Sequence, residues 1–142
     1  PASLLLTKEY RHEAQGFDFR LPGGKVFDTL AEYKEFLRSG QEVIARAKEM
    51  AIKEAREEVG IEVGELEYYY TSKEASATVI YDVIYFVVKK FYHLNGGQEL
   101  EHGEDIQVVE ASFEEVRKIC FDGRMQEDRS VAVLLRFLNS LS

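Results

Sequence analysis

Lys53-Glu54-Ala55-Arg56-Glu57-Glu58-Val59-Gly60-Ile61 reads as a helix that ends in the wrong charge. Gly60 stands where a glycine commonly follows a helix C-terminus. That end is the negative pole of the helix dipole, so acids there cost about 0.3–1 kcal/mol each. Glu54 and Glu58 are four residues apart and Glu54 and Glu57 three apart. They share a face and repel by a further ~0.2–0.5 kcal/mol per pair. A divalent cation held among them would turn this liability into a site. The alternative is a solvated, acid-rich helix end with Lys53 and Arg56 as counterions.

Upstream, Ser39 with Glu42 has the spacing of a capping box, which predicts a helix from there to Val59. Its apolar side is Ile44, Ala47, Ala51 and Ala55, small enough for close packing on a sheet. Thr29 with Glu32 gives another box between Asp28 and Gly40, with Leu30, Tyr33, Phe36 and Leu37 on one stripe. Before that, Ser3–Tyr10 and the alternating Phe17–Leu21 read as strands, the second stopped by Pro22-Gly23-Gly24. Downstream, Ile61–Thr71 and Ala77–Leu94 are dense in strand formers. Asn95-Gly96-Gly97 is a turn, and Ile106–Ala111 a further strand. Ser112 with Glu115 opens a helix that ends near Asp122-Gly123. Glu127–Leu141 reads as a last amphipathic helix, with Val131, Leu134, Leu135 and Leu138 on its apolar side. Strands, helix, strands, helices in that order predict an α/β or α+β sandwich with a mixed sheet, not a doubly wound fold.

A chain of 142 residues fits one domain, and its 45% hydrophobic content supports a core. The net charge of −8 argues against nonspecific nucleic-acid or membrane binding, which needs a basic surface. An anionic substrate is compatible with that charge only if cations help. The one cysteine, Cys120, cannot form an intrachain disulfide, which suits a reducing cytoplasm, and it reads as a small core residue. No apolar run approaches the ~20 residues of a membrane span, and no signal peptide is visible. The chain starts at Pro1 without Met and its first strand begins almost at once, so residues upstream are expected to be missing.

Three features converge on one chemistry. Gly23-Gly24 follows a strand and lets backbone approach a phosphate or metal closely. The acidic helix comes next. A second acidic loop follows, Glu99-Leu100-Glu101-His102-Gly103-Glu104-Asp105. Magnesium takes oxygen ligands, keeps waters, and often bridges protein carboxylates to substrate phosphates. His12, His93 and His102 have no metal-ligand spacing, and His102 between Glu101 and Glu104 reads as a surface loop residue. Tyr68, Tyr69 and Tyr70 offer rings for stacking on a base, although strand alternation turns part of the set into the core.

At these residues the chain resembles the Nudix hydrolase superfamily. The family motif is Gly, five residues, Glu, seven residues, then Arg-Glu-U-x-Glu-Glu-x-Gly-U, where U is bulky and aliphatic. Glu54, Glu57, Glu58, Gly60 and Ile61 match it in register, after the Leu21-Pro22-Gly23-Gly24 turn. With Tyr10-Arg11 and Gly103-Glu104-Asp105-Ile106, the chain looks like the ADP-ribose and nucleotide-sugar pyrophosphatase branch. The departures are Lys53 for the motif Arg, Ala45 for the first motif Glu, and Ala55 at a U position. About 15 extra residues, placed near 27–42, lie within the motif. Ser76 stands where that branch tends to carry Pro.

The resemblance implies one Nudix domain over 1–142, an α/β/α sandwich with a mixed sheet between helices. It implies Mg²⁺ or Mn²⁺ held by Glu54, Glu57, Glu58, the Gly23 carbonyl and Glu104. Glu57, Glu58, Glu104 and Glu101 are the catalytic candidates, with Glu104 ahead of Glu101 as base. Arg11, Arg20, Gly24 and Lys25 are candidates for substrate contact, Arg11 being equally a structural ion-pair partner. The implied activity is hydrolysis of a nucleoside diphosphate linked to another moiety. The alternatives are a house-cleaning nucleoside triphosphate pyrophosphatase and a binding module without turnover. The implied partner is a small-molecule nucleotide, with a homodimer possible through the stripe of Leu30, Tyr33, Phe36 and Leu37.

Overall fold

The computed structural model describes residues 3–12, 15–75 and 80–141. Ser76 and the start of the expected fourth strand, 77–79, lie outside the described residues. In chain order the elements are β1 (Ser3–Arg11), β2 (Gly16–Arg20), α1 (Leu30–Arg38), α2 (Val43–Glu54), a π-helical turn (Ala55–Val59), β3 (Ile61–Ala75), β4 (Ile80–His93), β5 (Ile106–Ser112), α3 (Phe113–Asp122) and α4 (Asp128–Ser140). This is a mixed α and β protein. Every strand pairing among the described residues is antiparallel, so the parallel pair that a mixed sheet requires is not among them. The chain divides into two compact units, one formed by Pro1–Pro22 with Gln98–Ser142 and the other by Gly23–Gly97.

The first unit is a three-stranded sheet, β2-β1-β5, with α3 and α4. β1 pairs β2 from Thr7↔Arg20 to Arg11↔Gly16, and β5 from Ser3↔Ser112 to Glu9↔Ile106. Ser112 caps α3, its hydroxyl accepting the Glu115 N–H at 3.1 Å, and Gly123 closes that helix at φ 89°. Val116, Ile119 and Cys120 thereby fall on one face and are buried with Leu6, Phe19, Ala111, Met125, Leu134 and Leu138. Each large side chain removed from water here contributes about 1.5–3 kcal/mol. Cys120 is the core residue expected of it, and burial pushes its thiol up from the ordinary range.

The second unit holds α1, α2, the π turn and the two-stranded β3–β4 ribbon. Its buried hydrophobics among the described residues are only Ala47, Ala55, Val59 and Ile61. The ribbon runs from Ile61↔His93 to Ala75↔Ile80, with irregularities between Val63 and Leu66 and between Tyr68 and Tyr70. Cross-strand ion pairs Glu65–Lys90 (3.6 Å) and Lys73–Asp82 (3.5 Å) lie along it. Tyr68 is exposed, while Tyr69 and Tyr70 are half-buried. Thr29 caps α1 as expected, accepting the Glu32 N–H at 3.1 Å. The Glu32 carboxylate accepts the Asp28 N–H at 3.0 Å, one residue before the cap.

The Ser39–Glu42 spacing does not form a capping box. Ser39 closes α1 instead, its hydroxyl donating to the Phe36 carbonyl at 2.5 Å, and α2 begins only at Val43. A serine hydroxyl can serve the carbonyls behind it as well as the amides ahead, and here it also accepts the Gln41 N–H at 3.3 Å, one residue short of Glu42. Among the described residues, no helix is long and apolar enough to cross a membrane.

Candidate functional site

The acid-rich helix end keeps its boundary and changes its pitch. α2 stops at Glu54, and Ala55–Val59 form one π-helical turn. Gly60, at φ 75° and ψ 35°, ends it with an N–H aimed at the carbonyls of both Ala55 and Arg56. The bond to Ala55 spans five residues, which defines the π turn, a feature concentrated at functional sites. Ala55 and Val59 are buried, leaving Glu54, Glu57 and Glu58 half-exposed on the remaining sides.

The Gly23–Gly24 turn sits against two of these acids. The Gly23 N–H donates to Glu58 Oε2 at 3.1 Å. At Gly24 there is no room for a side chain, because a Cβ would lie 2.6 Å from Glu54 Cδ, 3.0 Å from its Cγ, and in contact with its Oε1. Glu54 and Glu58, four residues apart, therefore both bring their carboxylates to one dipeptide. Lys25, next in the chain, is exposed.

Glu57 has a different neighbour. Its carboxylate lies 3.8 Å from Nζ of Lys53, four residues earlier on the same side of the helix. Arg56 turns the other way and grips Glu62 at the start of β3, Nε donating at 3.0 Å and Nη2 at 3.1 Å. The two cations expected as counterions of the helix end are thus Lys53 on Glu57 and Arg56 on Glu62. The Arg56 pair is bidentate, the geometry in which an exposed ion pair contributes most. It ties the π turn to the following strand.

The remaining candidates belong to the other unit. Glu104 folds onto its own loop, where its Oε1 accepts the Glu101 N–H at 2.6 Å, and its own N–H donates to the Glu101 carbonyl at 3.1 Å. Both acids are exposed, and Gly103 between them takes φ 89°. Arg11 borders a cavity of about 260 Å³ with Glu9, Tyr10, His12, Gly103 and Asp105, and its Nε lies 3.9 Å from Asp18. Arg20 is engaged by carboxylates: Glu127 at 3.0 Å, with Glu9 and Asp18 each at 3.8 Å.

Asp18 is what the sequence did not offer. Period-two alternation sends it to the face opposite Phe19, yet both are buried. The segment 124–126 covers that edge of β2: the Phe19 N–H donates to the Arg124 carbonyl at 3.0 Å, and the Gln126 N–H donates to Asp18 Oδ1 at 3.0 Å. A buried carboxylate is costly without such partners, which gives Arg11 and Arg20 structural work. Glu127 joins them. Burial pushes its carboxyl up, but the Ser130 hydroxyl and the charges of Arg129 and Arg20 outweigh this and hold it below the usual glutamate range.

The donors at the glycine turn suit a hard cation. They are carboxylate oxygens and main chain, without sulfur or imidazole, and magnesium is commonly held by one or two carboxylates together with substrate oxygens. Among the described residues, no group of three or more His, Cys, Asp or Glu side chains is assembled to hold a metal ion. Two helix carboxylates, rather than the three expected, meet the turn. No protein-family model matches the chain, and no curated protein matches it.

Proposed function

We propose that the chain is a Nudix-type pyrophosphohydrolase, dependent on Mg²⁺ or Mn²⁺, with an α/β/α sandwich around a mixed sheet and a place in the cytoplasm. Its substrate is a nucleoside diphosphate linked to another moiety, of the ADP-ribose or nucleotide-sugar kind. Water attacks one phosphorus, the P–O–P bridge breaks, and the products are a nucleoside monophosphate and a phosphorylated remainder. The observation that carries this reading is the seating of Gly23–Gly24 on Glu58 and Glu54. It joins the two separated parts of the motif that the sequence shares with the family.

Glu54, Glu58 and the Gly23 carbonyl would hold the cation, with Glu57 as a further ligand once released from Lys53. A cation there would neutralise diphosphate charge and polarise a phosphoryl oxygen. The glycine turn fixes the direction of both carboxylates, and fixed charges aimed at developing charge are the largest source of rate in such chemistry. The resemblance gives Glu104, with Glu101 in reserve, the proton of the attacking water. It gives Arg11 and Lys25 the phosphate oxygens, Arg as a planar fork and Lys as a point charge.

The test is turnover with Mg²⁺ or Mn²⁺ over ADP-ribose, nucleotide sugars, dinucleotides and nucleoside triphosphates, with products resolved by chromatography. The expected result is a monophosphate product from the first two classes. Glu58→Gln should remove that activity by orders of magnitude and leave the circular dichroism spectrum unchanged. Near-normal rates in the variant, or tight nucleotide binding without any phosphate-containing product, refute the proposal.

A further inference from the structure

The solvent side of the π turn carries Arg56, Glu57 and Glu58, and each is tied to a different place. Ala55 and Val59 are buried and anchor the turn at its two ends. Between them the three charged residues form a half-buried arc. Glu57 lies 3.8 Å from Lys53, and Glu58 accepts the Gly23 N–H at 3.1 Å. Arg56 reaches forward, past Gly60 in the chain, to Glu62, with Nε and Nη2 each on its own carboxylate oxygen.

Backbone hydrogen bonding alone leaves the pitch of this turn poorly determined. The Gly60 N–H is shared between the Ala55 carbonyl, five residues back, and the Arg56 carbonyl, four back at 3.2 Å. The first bond belongs to a π turn and the second to an α-helix. Exchanging one for the other would cost little, so another contact must hold the turn open. The strand side of Gly60 is fixed: its carbonyl accepts the Leu94 N–H at 2.9 Å, and Ile61 is buried as β3 begins. The Arg56–Glu62 pair spans the same glycine from the helix side. A guanidinium fork on a carboxylate sets direction as well as distance. The Lys53 ammonium is a point charge on a flexible stem and constrains Glu57 less.

Arg56 and Glu58 are two residues apart on a short arc with anchored ends. The pitch that Arg56 holds therefore also sets the direction in which Glu58 leaves the turn. We infer that Arg56, locked to Glu62, is a positioning residue: it keeps the π turn at the pitch that brings Glu58 onto the Gly23 N–H. The meaning of this for catalysis rests on the proposed function, whereas the positioning itself does not.

Two readouts on the full chain test it, and neither needs turnover. The first is the Gly23 amide proton resonance of the isotopically labelled, metal-free protein, which reports the bond to Glu58. Glu58→Gln should move it upfield, because a neutral acceptor makes a weaker bond than a charged one. Arg56→Lys, which keeps the charge and loses the fork, should move it the same way, as should Glu62→Gln. Lys90→Gln, which breaks the Glu65–Lys90 pair of the same ribbon, should leave it in place. The second readout is Mn²⁺ binding followed by electron paramagnetic resonance. Arg56→Lys should raise the dissociation constant by about threefold to fivefold, the upper range for an exposed ion pair. The double variant should bind no worse than Glu62→Gln alone, since both changes remove one pair. A Gly23 resonance indifferent to Arg56→Lys and Glu62→Gln overturns the inference. So does an Mn²⁺ affinity that Arg56→Lys leaves unchanged, or losses that simply add in the double variant. A wild type that binds no Mn²⁺ overturns the proposed function instead, and the Gly23 resonance then decides the role of Arg56.

Discussion

Gly24→Ala separates the seating of the glycine turn from the stability of the fold. The added Cβ would stand 2.6 Å from Glu54 Cδ and 3.0 Å from Cγ, closer than real Cβ contacts come. What it meets is the far end of a flexible side chain, so the carboxylate moves and the backbone does not. Displacing that side chain from its rotamer costs about 0.5–1.5 kcal/mol. Replacing Gly by Ala, where the backbone allows it, returns about 0.4–1 kcal/mol through the unfolded chain. The two nearly cancel. With about 2–4 °C per kcal/mol for a domain of this size, the melting temperature should stay within a few degrees of wild type. On the proposed function, activity should not. A misplacement of about 1 Å in a catalytic array costs about a hundredfold, and Glu54 must move by roughly that much to restore contact distance. Differential scanning calorimetry and the ADP-ribose turnover assay, run on Gly24→Ala and on Gly96→Ala, make the comparison. Gly96 has open space around its added Cβ, so that variant should match wild type in both measurements. Wild-type turnover and Mn²⁺ affinity in Gly24→Ala would refute the argument that the turn aims Glu54.

The other predictions concern stability. Ser112→Ala removes the hydroxyl that caps α3 and should cost about 1 kcal/mol, read as a lower urea midpoint with an unchanged slope. Glu127 has a folded pKa below its unfolded value of about 4.3, so its contribution is complete above that pH and is lost as pH falls through the folded value. The melting temperature should drop on acidification through this window, and less steeply in Glu127→Gln, which should also start lower at neutral pH.

Much of the element order is legible because short-range chemistry sets it. Thr29 and Ser112 each have a clear cap partner, Gly123 is a clear stop, and the Leu134–Leu138 stripe has a clear period. Ser39 misleads because its hydroxyl bonds back to Phe36 and forward to the Gln41 N–H, so the spacing to Glu42 goes unused. Burial of Asp18 depends on residues more than a hundred positions downstream, which no local pattern conveys. The approach of Gly23–Gly24 to Glu54 and Glu58 accords with the resemblance, whereas the pairing of Glu57 with Lys53 depends on side-chain reach that residue types alone do not convey. The pitch change at Ala55–Val59 leaves no mark in residue types, since alanine, glutamate and arginine are ordinary α-helix formers.

That pitch change makes the number of residues there as consequential as their identity. Each residue of an ordinary helix turns the chain by about 100°, so excising Arg56 alone would tighten the coil and change the angle between Glu54 and Glu58. Substitutions along this stretch can be absorbed one at a time. A shift in its length would change how the two acids meet the glycine turn while both remained in the gene.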